Sequence, residues 1–117
     1  MDQTQALAAL GALAQETRLQ LYRLLVAAGP AGLSAGNIAE RLGVIPSSLS
    51  FHLQNLVHAK LITQHRMGRL MIYAAEYDTM NSLLAYLTEN CCGQGAPCAP
   101  VREPAAAATP VPKISAA

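Results

Sequence analysis

The run Arg41-Leu42-Gly43-Val44-Ile45-Pro46 constrains this chain more than any other stretch, because it ends one helix and starts the next within a few residues. Before it, Ser34 is placed to cap a short helix through Leu42 that turns Ile38, Ala39 and Leu42 inward, and Gly43 closes that helix. After it, Pro46 has a fixed φ and no N–H, which suits the first position of a new helix. The stripe Leu49, Leu53, Leu56 and Val57 then advances in steps of four, three and one, leaving Ser47, Ser48, Ser50, Phe51, His52, Gln54 and Asn55 off the buried face. Two helices joined by a tight turn, the second with small polar groups near its start, make a helix-turn-helix.

The flanks fit around this pair. Residues 4–15 are rich in Ala and Leu, with Leu7, Leu10 and Leu13 at helical spacing, and predict a first helix. A second helix over 16–28 carries the stripe Leu21, Leu24, Leu25 and Ala28 and stops at Gly29-Pro30. The stretch LITQHRMGRLMIYAAE predicts two strands around Met67-Gly68, with Ile62, Ile72 and Tyr73 as strand formers and Arg66 and Arg69 at the tip. From Tyr77 to about Cys92 helical spacing returns, with Met80, Leu83, Leu84 and Leu87 on one face and Asp78 near the positive end of the helix dipole. The expected fold is therefore mainly α with a β-hairpin wing, a winged helix-turn-helix of four helices, a hairpin and a fifth helix. Residues 1–92 would form the DNA-binding and dimerisation domain, and 93–117 a cysteine-containing loop and a Pro/Ala-rich flexible tail.

A chain of 117 residues has room for one domain, and an apolar fraction of 52% is ample for its core. No apolar run is long enough to span a bilayer, and the N-terminus places an acid and no base ahead of its apolar stretch, unlike a secretory signal; a cytoplasmic location without membrane contact is expected. The net charge of +1 hides a division: residues 34–73 hold Arg41, Lys60, Arg66 and Arg69 against Glu40 alone, while the rest of the chain is net acidic. One segment is basic, and it contains the helix-turn-helix and the hairpin.

Polar side chains near the start of a helix in the major groove reach base edges, and nearby cations meet phosphates. Ser47, Ser48, Ser50, His52 and Asn55 are suited to that role. Phe51 either contacts thymine methyls or turns inward as plain core. Arg66 and Arg69 would lie on phosphate or in the minor groove. Taken singly, the serines read as helix caps and the arginines as a solvated turn; their order and charge balance together favour double-stranded DNA. One recognition helix gives weak specificity, so two copies are expected, with recognition helices about 34–36 Å apart in successive grooves. Leu7, Leu10, Met80, Leu83, Leu84 and Leu87 would supply the homodimer interface.

The segments LAQETRLQLYRLLVAAG, NIAERLGVIPSSLSFHLQNLVHAKLI and HRMGRLMIYAAE together resemble the winged helix-turn-helix of the ArsR/SmtB family of bacterial metal-sensing repressors, over about residues 4–90. The most specific marks are ETR-L in the second helix, S-x-H-L in the recognition helix and RxGR-x-x-IY in the wing. The resemblance implies a homodimer on an inverted-repeat operator that is released when metal binds, with Ser47, Ser50, Phe51 and His52 on the reading face and Arg66 and Arg69 in the wing. Where family members usually carry His or Arg, this chain has Phe51.

All three cysteines fall within Asn90–Cys98, NCCGQGAPC. Gly93, Gly95 and Pro97 can turn the chain so that Cys98 returns beside Cys91 and Cys92. Structural zinc wants four ligands. Arsenite and antimonite form trigonal-pyramidal compounds with three thiolates, and soft Cd, Pb or Hg remain compatible with sulfur. A redox switch is the rival reading, although the cysteines sit at a negative helix end beside Glu89, with no cation nearer in sequence than Arg102. The family resemblance sharpens the choice. The C-x-C pair that many arsenic repressors carry before the recognition helix is missing from LSAGNIAERLGV, whereas Cys91, Cys92 and Cys98 match a subgroup with its site at the end of the fifth helix. Zinc sensors of the family use Asp and His along that helix, where Asp78 has no histidine partners.

The expected function is an operator-binding repressor that takes arsenic(III) or antimony(III) as inducer and uses no organic cofactor. Thiol redox sensing or Zn/Cd/Pb sensing is the alternative within the same fold. An enzyme such as a thiol oxidoreductase or arsenate reductase would want a cysteine of lowered pKa, an anion-cradling loop and a general acid, and the sequence has no Gly-rich phosphate loop leading into a helix and no His or Arg near the cysteines. A metalloid carrier without a DNA role is the third reading.

Overall fold

Asp2 starts the first helix. Its carboxylate accepts from the Gln5 backbone N–H at 2.8 Å while the Gln5 side chain accepts from the Asp2 N–H at 2.9 Å, a reciprocal cap that satisfies two otherwise orphaned donors. In the computed structural model, which describes residues 1–90, this helix is α1, Gln3–Leu13. It is followed by α2, Glu16–Ala28, a two-residue strand β1, Leu33–Ser34, and α3, Ala35–Leu42. The recognition helix α4 spans Pro46–His58, the wing strands are β2, Ile62–Met67, and β3, Leu70–Ala75, and α5 is Tyr77–Thr88. This is the winged helix-turn-helix expected from sequence, and Met1–Leu87 is one compact unit.

The sheet has three strands in the order β1-β3-β2, all antiparallel, where the sequence predicts a hairpin alone. Leu33 pairs with Tyr73 and Ser34 with Ile72, so the chain entering α3 is sewn to the inner strand of the wing. Gly32 makes this approach feasible: its φ is +72°, and a Cβ there would collide with the Tyr73 carbonyl. Ser34 then caps α3 as expected, its hydroxyl accepting from the Asn37 N–H at 3.2 Å.

Leu21, Leu25, Ile38, Leu49, Leu53, Leu56, Leu61 and Leu83 are buried and form the core, each such side chain contributing about 1.5–3 kcal/mol by leaving water. The contribution of α1 differs from its sequence pattern. Ala6, Ala9 and Ala12 face the core, whereas Leu7 and Leu10 are 59% and 39% exposed. Alanines let the helix approach its neighbours closely; Leu7 and Leu10 turn outward, while Leu13 packs partly buried against the core. Leu83 corrects the expectation that it belongs to a subunit interface. It is 2% exposed and packed within its own chain's core, and Met80 lies partly buried against that core.

The last helix also ends sooner than the spacing predicts. It stops at Thr88, and Asn90 adopts φ +58°, the left-handed conformation that terminates helices. Cys91, Cys92 and Cys98, and the expected segment 93–117, lie outside the described residues. Among the described residues no helix is long and apolar enough to cross a membrane.

Candidate nucleic-acid interface

The turn between α3 and α4 is built from two opposite conformational demands. Gly43 takes the left-handed conformation, φ +66°, and its N–H donates to the Ala39 carbonyl at 2.9 Å, closing α3. Ile45 is extended and supplies the N-cap position of α4, with Pro46 following. Ile45 has no side-chain acceptor, and the start of α4 carries no side-chain cap. Pro46 has no N–H and the Leu49 N–H donates to the Ile45 carbonyl at 3.0 Å, so the Ser47 and Ser48 N–H groups are the ones without a partner among the described residues, at the positive end of the helix dipole. Such an end suits a phosphate oxygen.

The outward face of α4 follows directly from the burial of Leu49, Leu53 and Leu56. Ser47, Ser48 and Ser50 are exposed. None of them caps the helix, since the cap position is Ile45, so the capping interpretation of the serines falls away. Phe51 is 64% exposed, which settles its two readings against core. Its ring meets that of His52 edge to face, with centroids 5.7 Å apart and planes at 64°. The Asn55 side-chain amide donates to the Phe51 carbonyl at 2.9 Å, one turn back along the helix. Phe51, His52 and Asn55 thus form a connected group, with Phe51 projecting and the other two half-buried.

His52 has a further neighbour that sequence reasoning left without a role. Arg18, in the first turn of α2, places Nη1 3.4 Å from His52 Nδ1, and its Nε donates to the Ala12 carbonyl at 2.6 Å. Burial, and then the adjacent guanidinium, hold the His52 imidazole below the usual histidine range. The sequence signal was the ETR-L motif. It marks Arg18 without saying that its partner lies 34 residues on.

The hairpin carries the remaining candidates. Its register pairs Arg66 with Met71 and Met67 with Leu70, and Gly68-Arg69 is the loop between them. Arg66 and Arg69 are exposed, and among the described residues no ion pair neutralises either. Met67 and Leu70, 61% and 56% exposed, add an apolar tip that the sequence reading did not single out. Elsewhere on the surface, Leu7 and Leu10 of α1 are joined in exposure by Leu84 and Leu87 of α5, both at 53%. Among the described residues no three His, Cys, Asp or Glu side chains gather as metal ligands, and Asp78 stands outside any such group.

Comparisons with known proteins agree with this geometry. A family described as "Helix-turn-helix domain" matches residues 13–65, from the end of α1 into β2. The transcriptional repressor SdpR of Bacillus subtilis is 29% identical over 82 residues, covering 67% of this chain and 88% of SdpR. Among solved structures, an ArsR-like transcriptional regulator from Rhodococcus superposes with a TM-score of 0.65 at 28% identity, over 72% of this chain and 76% of that one. Another, described as a possible transcriptional regulator for arsenical resistance, has a TM-score of 0.60 at 28% identity, over 68% and 79% of the two chains.

Proposed function

We propose that this chain, a winged helix-turn-helix transcriptional regulator of the ArsR type, is a repressor that binds an inverted-repeat operator as a homodimer and leaves it when arsenic(III) or antimony(III) binds Cys91, Cys92 and Cys98. The observation that carries the DNA half is the outward face of α4. An uncapped helix start, three exposed serines and an exposed Phe51 stand on one helix behind a fully apolar inner face. Such a surface has little structural purpose of its own and the chemistry a major groove requires.

The wing adds Arg66 and Arg69 as phosphate or minor-groove contacts, and Asn55 and His52 complete the reading set. Leu7, Leu10 and Leu87, large apolar side chains left in the open, support pairing of two copies. The inducer reading rests on donor chemistry. Three thiolates suit a trivalent metalloid whose lone pair fills the fourth direction, and the similar structure described for arsenical resistance points the same way. Inducer binding moves the protein off DNA only to the extent that it favours the arrangement with lower DNA affinity.

The test is fluorescence anisotropy on a labelled duplex from upstream of the protein's own gene, with arsenite, antimonite, zinc and peroxide titrated in parallel. Release by arsenite and antimonite, abolished in Cys98→Ser, supports the three-thiolate site. Release by peroxide alone makes the chain a thiol redox sensor, release by zinc alone a sensor of harder cations, and no binding under any condition leaves a carrier without a DNA role.

A further inference from the structure

Arg18 is the side chain that ties three helices together. From α2 it donates through Nε to the Ala12 carbonyl at the end of α1 and sets Nη1 against His52 Nδ1 of α4, at 2.6 and 3.4 Å. A guanidinium has donors and no acceptor. The nitrogen facing it must therefore be the accepting one, which puts the imidazole proton on Nε2, on the opposite side of the ring. Only the neutral imidazole fits, because a protonated ring would turn an N–H toward the guanidinium. Burial and the charge of Arg18 both favour that neutral form. The edge-to-face contact with Phe51 further restrains the ring plane. Nε2 has no hydrogen-bond partner among the described residues.

We propose that Arg18 is a positioning residue for DNA recognition: it locks His52 in the Nε2–H tautomer, so that α4 presents a fixed donor to an acceptor on DNA, either a phosphate oxygen or the acceptor edge of a base. The proposal rests on the DNA reading above. It also gives α1 a direct connection to the recognition helix, because the guanidinium that orients His52 is anchored on the last turn of the helix that exposes Leu7 and Leu10.

The experiment uses the full chain and a duplex enriched by it from a random-sequence library. In protein labelled with 15N-histidine at pH 7.5, the ring shifts of His52 report the tautomer. The wild type is expected to hold the Nε2–H form, and Arg18→Met to show a mixture of both. The same substitution should weaken duplex binding about tenfold, the scale of one misplaced hydrogen bond. In a His52→Ala background Arg18→Met should cost no further affinity, which separates positioning from a general loss of structure. His52→Ala distinguishes the two acceptors: equal weakening on all duplexes marks a phosphate, and relaxed preference at one base pair marks a base edge. An unchanged tautomer in Arg18→Met, or an equal loss of affinity with and without His52, overturns the proposal while leaving the DNA reading intact. Enrichment of no duplex overturns the DNA reading, and the proposal with it.

Discussion

The side-chain amide of Asn55 is tied to the Phe51 carbonyl at 2.9 Å, so the two residues present a joint surface on the second and third turns of α4. One amide hydrogen is committed to the helix, while the Asn55 carbonyl oxygen and the Phe51 ring remain to meet a ligand. This division matters for selectivity. The ring offers apolar contact suited to a thymine methyl, a group that distinguishes one base in the major groove.

Phe51→Ala should therefore change folding stability by no more than about 0.5 kcal/mol, as expected of an exposed position, yet weaken binding to an enriched duplex. Replacing single thymines by deoxyuridine should cost the wild type about fourfold at the contacted step, the worth of one buried methyl, and cost Phe51→Ala nothing there. A wild type indifferent to every such replacement would remove Phe51 from the reading face.

The helix-turn-helix was legible because its punctuation is local. Gly43 and Pro46 state their conformational preferences within the turn, and Leu49, Leu53 and Leu56 recur at the helical period. The missed features are non-local. The strand Leu33–Ser34 is too short to show alternation, and its partners Tyr73 and Ile72 lie some forty residues away. On α1, alanines and leucines share one period a single step out of phase, so periodicity alone does not say which faces inward. The Arg18–His52 contact likewise leaves no spacing in the sequence from which to infer it.

Gly32→Ala tests the seam between β1 and β3. The left-handed backbone and the collision with the Tyr73 carbonyl act together, and Ile72 Cγ2 stands only 3.0 Å from the added atom. A loss of about 1–3 kcal/mol is expected, as for a non-glycine residue held in a disfavoured backbone region. Urea unfolding measures it, with a lower midpoint at unchanged slope. An unaltered midpoint would mean that the seam yields without cost.

Tyr22 is a polar group in the wrong surroundings. Its hydroxyl is buried and has no hydrogen-bond partner among the described residues, and its pKa is raised by burial first and then by Tyr77 and Glu76. As pH climbs past the ordinary value of 10.0, the unfolded chain gives up this proton before the folded chain does. The stability contribution is thus complete below pH 10.0 and lost as pH rises through the folded value. Tyr22→Phe should hold or raise stability, by up to about 1 kcal/mol, and reduce the alkaline decline. Chemical denaturation from pH 8 to 11 checks both, and a marked destabilisation would show that the hydroxyl is satisfied.

His52 carries the opposite sign. Burial and then Arg18 lower its folded pKa below the ordinary 6.5, so on acidification the unfolded chain takes up a proton first. Its contribution is present above pH 6.5 and is lost as pH falls through the folded value. His52→Gln should flatten the stability profile between pH 7 and 5, and Arg18→Met should do so in part. Equal slopes in all three proteins would mean that other groups govern the acid limb.

The wing should make a separable contribution to DNA binding, because its cations Arg66 and Arg69 are exposed and unpaired among the described residues. A phosphate contact releases condensed counterions, and each one steepens the dependence of log K on log salt by about 0.9. Replacing Arg66 and Arg69 together by Gln should reduce that slope by about 2 if both touch phosphate, with weakening spread evenly over duplex sequences. If one arginine enters the minor groove, the slope still falls, but its loss relaxes A·T preference beside the major-groove site. Binding titrations from 50 to 200 mM salt on two enriched duplexes, differing only in those flanking pairs, separate the cases. A slope unchanged by the double substitution would mean that the hairpin tip lies clear of the duplex and that α4 carries the phosphate contacts alone.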